Sequence, residues 1–209
     1  MPLIDFKRQD KSSNKKLIYC SFGTLFNKNV EAYLTVLNGV SQLSEESNGD
    51  TRIKLLMSTG NESYDKIQEI VKSSSSSFKK KLISSILIMS RVPQLDVLKR
   101  ASLFITHAGQ NSTSESIRYG VPIIFVPMGA EQPAVAYRVA VVLGRGIRLD
   151  AATLSPSQVK EAVSKVFANS FYADRSCLYS QLSKKYNGPV EGARLIVKHL
   201  EESLKKKIS

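Results

Sequence analysis

His107, Gly109, Ser112 and Glu115 stand close together in the stretch LFITHAGQNSTSESIRYG, directly after a short apolar, partly β-branched run, Leu103–Thr106. Residues of these types at this spacing suit the binding of an anion. The apolar run reads as a strand covered on both faces. Ser112 is placed to open a helix, with Glu115 three residues on as its partner in a capping box. A helix that starts at the carboxyl end of a parallel strand points free backbone N–H groups and its dipole at the ligand, which favours phosphate. Gly120 falls where a helix ends on glycine, and Pro122 leads into a second apolar run, IIFVP. That run opens into a polar loop carrying Glu131 and Gln132.

The elements needed to position these groups are legible on both sides. Lys16–Cys20 reads as a first strand that runs into a hydroxyl-flanked glycine turn, Ser21–Thr24, where backbone N–H groups can also meet an anion. Val30–Leu43 carries apolar residues at helical spacing. Ile53–Met57 is a second strand ending at Ser58–Gly60, and Tyr64–Val71 is a short helix. The serine run Ser73–Ser77 reads as a flexible loop. Ile86–Met89 is a third strand, followed by the VPQLDVL segment. Beyond Gln132, Ala134–Leu143 reads as a helix closed by Gly144, and Ile147–Leu149 as a short strand. Ser155-Pro156 then starts a helix through Ala168. Two helices, Arg175–Tyr186 and Glu191–Lys206, are divided by Asn187-Gly188-Pro189. Strands alternating with helices imply right-handed crossovers and a doubly wound, parallel α/β sheet. Residues 1–14 read as a linker remnant or flexible tail, and 15–209 as one domain. Ligands of such sheets sit at the carboxyl ends of the strands. Ser21–Thr24, Ser58–Gly60, Val92–Gln94, His107–Ser112 and Pro127–Gln132 all fall there.

Composition narrows the function classes. The two cysteines, Cys20 and Cys177, are far apart and fit a reducing compartment. The first residues turn charged at once, unlike a signal peptide, and no apolar run is long enough to span a bilayer. A cytoplasmic protein is expected. The formal net charge of +12 is scattered over Lys15–Lys16, Lys79–Lys81, Lys184–Lys185 and Lys205–Lys207 without any nucleic-acid-binding motif. Nucleic acid is therefore not an expected partner. Contact with an acidic membrane surface is compatible with the charge but not required. No Gly-x-Gly-x-x-Gly follows the first strand, and no Walker-type Gly-Lys-Ser/Thr, Asp-x-Asp pair or Gly-x-Ser-x-Gly elbow occurs. Dinucleotide binding, ATP hydrolysis and esterase chemistry lose support. A diphosphate here would be neutralised by protein groups, with no metal.

The block VPQLDVL…FITHAGQNSTSES…GVPIIFVPMGAEQ closely resembles the signature of the family 1, UDP-dependent glycosyltransferases. The bacterial macrolide-type enzymes are the nearest in character. The specific match covers about forty residues, Val92–Gln132, and a looser one extends over nearly the whole chain. The resemblance implies the C-terminal, nucleotide-sugar-binding half of a GT-B fold, in which two Rossmann-like domains face each other across a cleft.

By that resemblance His107 contacts the donor diphosphate and stabilises the leaving group, with Gly109, Asn111 and Ser112 completing the cradle at the helix start. Glu115 holds the ribose hydroxyls. Val92, through its backbone, and Gln94 read the uracil side. Glu131 and Gln132 bond the hydroxyls of the transferred sugar, and Thr24 and Ser21 close over the phosphates. Arg91 stands where the family commonly has a tryptophan that stacks on the base; a guanidinium face can also stack. Val135 stands where an asparagine is frequent.

The implied chemistry is inverting, metal-independent transfer from a UDP-sugar to an acceptor hydroxyl, with no cofactor beyond that donor substrate. The family's general base is a histidine of the N-terminal acceptor domain. The chain begins where the interdomain linker ordinarily lies, so no catalytic base is expected in it. The chain is then a donor-binding half that needs an N-terminal domain, the donor subunit of a split enzyme with a membrane-associated partner, or a non-catalytic nucleotide-sugar-binding module.

Overall fold

Short runs of β-branched and aliphatic residues form one parallel sheet. Its strands are β1 (Lys16–Ser21), β2 (Ile53–Ser58), β3 (Ile86–Met89), β4 (Leu103–Thr106), β5 (Ile123–Phe125) and β6 (Gly146–Arg148). The computed structural model describes residues 15–46, 53–73, 85–186 and 188–208. The expected tail 1–14, the polar loop before β2 and most of the serine run lie outside the described residues. Strand order is β3-β2-β1-β4-β5-β6. The order reverses between β1 and β4, which makes that pair the topological switch point of a Rossmann-like sheet. Register aligns the strand ends: Ser21 pairs with Ser58 and with Thr106, Ser58 with Met89, and Thr106 with Phe125. The carboxyl edge is therefore a level rim on which the following loops are mounted.

Side chains alternate across the sheet, and both faces are covered. On one face Ile18, Cys20, Leu103, Ile105 and Ile124 pack with Tyr33, Val36 and Leu37 of α1 (Val30–Glu46), Ile67 of α2 (Asn61–Ser73), and Val159 and Val163 of α6 (Pro156–Ala168). On the other, Leu17, Tyr19, Leu56 and Phe104 pack with Val97 and Leu98 of α3 (Gln94–Leu98). Ile123 and Phe125 meet Ala136 of α5 (Gln132–Tyr137), with Val139 and Ala140 from the π-helical turn Arg138–Val142 that continues it. Helices α4 (Gln110–Tyr119) and α7 (Ser170–Lys185) lie together on the flank, where Ser180 Oγ donates to the Arg118 carbonyl at 2.8 Å. The last helix is α8 (Gly188–Ile208). Among the described residues, no helix is long and apolar enough to cross a membrane.

The strands match their expected positions closely, β6 being shifted by one residue. Helix starts move most. α2 begins three residues before Tyr64, α5 two before Ala134 and α7 five before Arg175. Asn169, whose side chain accepts the Phe171 N–H at 3.0 Å, caps the start of α7. At α6 the expected Ser155 cap is present, and Gln158 completes a capping box with it.

Candidate functional site

The two strand ends at the switch point meet around one imidazole. β1 runs into a turn with Gly23 at φ +71°, and β4 delivers His107 followed by Gly109. A Cβ built on Gly23 would lie 2.6 Å from the His107 ring, and one on Gly109 2.4 Å from it. The ring is slotted between two glycine backbones, so a Cβ at either wall would displace it. Between His107 and Gly109, Ala108 is fully buried at φ +71°, a left-handed conformation costly for a residue with a Cβ. Nδ1 of His107 lies 3.2 Å from the Thr106 hydroxyl, and Phe26 tilts over the ring at 5.9 Å between centroids. Burial holds the imidazole pKa below its ordinary value of 6.5, with the Glu131 carboxylate opposing that shift. At neutral pH it is an uncharged donor or acceptor.

Helix α4 starts earlier than its serine suggested. Gly109 is the N-cap, at φ −61° and ψ 141°, and no side chain caps the helix. Its first internal bond runs from the Thr113 N–H to the Gly109 carbonyl, at 2.9 Å. The expected capping box of Ser112 with Glu115 is therefore not formed. Ser112 is two residues inside the helix, and both side chains are taken by Gln94. The Gln94 amide nitrogen donates to Glu115 Oε2 at 2.6 Å and to Ser112 Oγ at 3.2 Å, while Tyr19 Oη donates to Gln94 Oε1 at 3.0 Å. The physical reason is position: Gly109 already starts the helix, so Ser112 lies inside it, and the amide at the start of α3 takes both side chains. The backbone amides of Gln110, Asn111 and Ser112 consequently keep the helix N-terminus as a donor cluster at the cleft. The C-terminal end follows expectation, with Gly120 at φ +70° and ψ +30°.

Loops beyond the outer strands complete the cleft. After β3, Arg91 is exposed and Val92 half-buried, with Val92 packed against the cluster around Leu17 and Tyr19. After β5, Glu131 is exposed, while Gln132 is buried and its Oε1 accepts the Met128 N–H at 2.8 Å. That bond leaves the Gln132 NH2 group as its hydrogen-bonding end for a ligand. The turn after β1 continues through exposed Thr24 and Leu25 to Phe26 and Asn27. This segment is fastened to the start of α2 by a Lys28–Glu62 ion pair at 3.1 Å and by Ser63 Oγ donating to the Asn27 carbonyl.

Together these loops line a cleft of about 850 Å³, within the size range of ligand sites. Ser21, Thr24, Arg91, Val92, Gln94, His107, Gly109, Asn111, Ser112, Glu131 and Gln132 all border it. Of the expected site residues only Glu115 does not, sitting one hydrogen bond behind Gln94. Gly60, from the expected strand end Ser58–Gly60, also borders it, as do Tyr19, Phe26, Asn27 and Asn61, which were not anticipated. The one available signal was the apolar pair Leu25-Phe26 inside an otherwise polar turn.

Comparison with known proteins shows the family. A family model described as UDP-glucoronosyl and UDP-glucosyl transferase matches residues 66–202. The chain belongs to that family. Among its relatives, an uncharacterized UDP-glucosyltransferase of Bacillus subtilis, YojK, is 30% identical over 92% of this chain and 43% of its own length. The NDP-glycosyltransferase YjiC of Bacillus licheniformis is 35% identical over 73% of this chain and 34% of its own. Among solved structures, the glycosyltransferase of kitacinnamycin superposes with a TM-score of 0.71 at 24% identity, over 91% of this chain and 44% of that one. Os79 of O. sativa in complex with UDP gives 0.65 at 25% identity, over 79% and 35%. The chain thus spans less than half the length of these relatives, and its fold is that of one half of a GT-B structure.

The depressed pKa of His107 has a signed consequence. A histidine held neutral by burial has a folded-state pKa below its unfolded one. Its contribution to stability is present above about 6.5 and is lost as pH falls toward the folded pKa. A bound diphosphate reverses the preference, because an adjacent anion favours imidazolium. Affinity for a diphosphate placed beside this ring is expected to rise as pH falls from 7.5 to 6. Calorimetry on the wild type and His107→Gln checks this, with the nucleotide's own ionisation cancelling between them. Identical pH slopes would contradict it.

Proposed function

We propose that this chain is the donor-binding half of an inverting, metal-independent UDP-glycosyltransferase. The observation that carries the reading is the cradle at the switch point: His107 between Gly23 and Gly109, beside the uncapped start of α4. Sheet order gives the ligand a direction. Arg91, Val92 and Gln94 follow β3 on one side of β4, and Glu131 and Gln132 follow β5 on the other. A nucleoside diphosphate sugar laid across the cradle puts its base toward Val92 and its sugar toward Glu131. Arg91 then offers a guanidinium face to the uracil, and Gln132 and Glu131 a donor and an acceptor to the sugar hydroxyls. Val135 presents no amide to that sugar.

In the reaction, the acceptor oxygen bonds to the anomeric carbon while the bond from that carbon to the β-phosphate oxygen breaks. The electron pair leaves on the phosphate, and a base takes the acceptor proton. Negative charge grows on the β-phosphate, so His107 and the α4 amides stabilise the transition state more than the bound donor. The base and the acceptor site belong to another domain or subunit. Exposed apolar side chains favour this reading over a self-sufficient binding module. Val190, Ile196, Val197, Leu200 and Leu204 on α8, with Tyr137, Val141 and Val142 near α5, each leave more than half of their surface open.

Calorimetric titration of the 209-residue chain with UDP, UMP and UDP-glucose tests the reading. The expected result is binding of both diphosphates, UMP at least about tenfold weaker, and negligible sugar transfer by the chain alone. Failure of the folded chain to bind any of the three would sink it.

A further inference from the structure

We propose that the donor site admits guanosine diphosphate as readily as uridine diphosphate. The base would be held by a stack on the Arg91 guanidinium and by main chain, with no side-chain amide left to read uracil. This rests on the donor-site reading above and concerns which nucleotides the same site takes. Selecting one base requires an aligned donor and acceptor that can turn to its edge, as a bidentate side-chain amide does. At the base end of the cleft the amide is that of Gln94, and it is committed within the protein. Its oxygen accepts the Tyr19 hydroxyl at 3.0 Å, and its nitrogen, which carries two hydrogens, donates to Glu115 at 2.6 Å and to Ser112 at 3.2 Å. Tyr19 is 1% exposed, and its ring stacks on Phe104 at 4.8 Å with 8° between planes, so that partner is fixed. Turning the amide to a base would break a hydrogen bond to a carboxylate, one of the stronger kinds.

The groups that remain do not distinguish these two bases. Arg91 is exposed and borders the cleft, and among the described residues no carboxylate pairs with it. It follows β3, the edge strand, and among the described residues no further strand stands beyond to crowd a larger base. A guanidinium is planar and stacks on the face of any base, because every base has a π-face. The two-ring guanine offers that plane more area than uracil does. Beside Arg91, Val92 packs its side chain against the cluster around Leu17 and Tyr19, and its peptide N–H and C=O bond nothing else among the described residues. One main-chain donor and one acceptor answer a lactam edge. Uracil presents that edge as N3–H beside O4, and guanine presents the same pair as N1–H beside O6.

The probes are UDP and GDP, titrated calorimetrically into the 209-residue chain and into its Arg91→Ala and Arg91→Lys variants. Wild type is expected to bind the two nucleotides with affinities within about tenfold of each other, whereas a bidentate reader of one base separates them by on the order of 100-fold. In Arg91→Ala both affinities fall by about two- to fivefold, the fold-change of a cation–π stack at an exposed site. Arg91→Lys keeps the charge and loses the plane, so its affinities fall with those of the alanine variant. The side chain is exposed, so the melting temperatures of both variants stay at the wild-type value. A preference of wild type for UDP over GDP beyond about tenfold would overturn the inference. So would unchanged affinities in Arg91→Ala, or full recovery by lysine, which would make Arg91 a plain charge beside the phosphates. If wild type binds neither nucleotide, the donor-site reading fails and this inference with it. Binding of UDP with rejection of GDP leaves that reading standing and overturns only this one.

Discussion

Alanine in place of His107 is expected to weaken UDP binding about 10- to 100-fold, with a far smaller effect on UMP. The magnitude is that of a hydrogen bond to a charged group, about 1.5–3 kcal/mol, converted to affinity. The specificity for the diphosphate follows from geometry. The ring is clamped by Gly23 and Gly109, whose substituted Cβ atoms would collide with it, and the α4 amides stand beside it. In the proposed pose, the second phosphate is the one that meets the imidazole. Parallel titrations with both nucleotides check the result, and an equal loss for UMP and UDP would contradict it. The glycines supply an internal comparison. Gly109→Ala leaves the histidine in the sequence but drives it from its slot, so it should lose UDP to a similar degree.

The largest expected effect on the fold comes from Gly146, the first residue of β6. A Cβ there would lie 1.8 Å from the Ile123 carbonyl oxygen, well inside any allowed contact. The neighbour is backbone, and it belongs to the hydrogen-bonded register that joins β5 to β6, in which the Ile123 N–H donates to the Arg145 carbonyl at 3.2 Å. Relief by outward movement is opposed by Arg145, which is fully buried and tied by Nη2 to the Val121 carbonyl at 3.3 Å. Gly146→Ala should therefore cost about 3 kcal/mol, at the upper end for overpacking. For a domain of this size that corresponds to roughly 6–12 °C in melting temperature. Thermal denaturation followed by circular dichroism measures it, and a melting point within about 2 °C of wild type would show that β6 yields freely. The site lies at the amino edge of the sheet, so residual folded protein should still bind UDP.

Strands and cleft position were legible because they depend on local rules. Leu103–Thr106 is a run that must be buried on both faces, and Leu103, Phe104 and Ile105 are indeed fully buried. Gly120 and Ser155 act through their own backbone neighbours, so a helix end and a helix start could be read directly. The start of α4 could not. Ser112 and Glu115 have the spacing of a cap, yet Gly109 already starts the helix, and Gln94, far away in sequence, meets both. Spacing reports what a pair can do in isolation and is silent about where the helix starts and which partner the sheet brings in.

The same division applies to the site as a whole. By itself the sequence determined the alternation of strands and helices, the polar strand ends, and the forty-residue block that marks a UDP-glycosyltransferase. The first two follow from periodicity, turn chemistry and residue type, all of which act over a few positions; the block carries its meaning through likeness to the family. Only the tertiary structure decided that the His107 ring is walled by two glycines, that Phe26 lies over it, and that Tyr19 reaches Gln94. It also decided that Glu115 stands behind the cleft wall and that Arg145 is buried. Those contacts join residues that come together only when β1, β3 and β4 fold into one sheet, and strand pairing across distant segments leaves no local trace in composition or spacing.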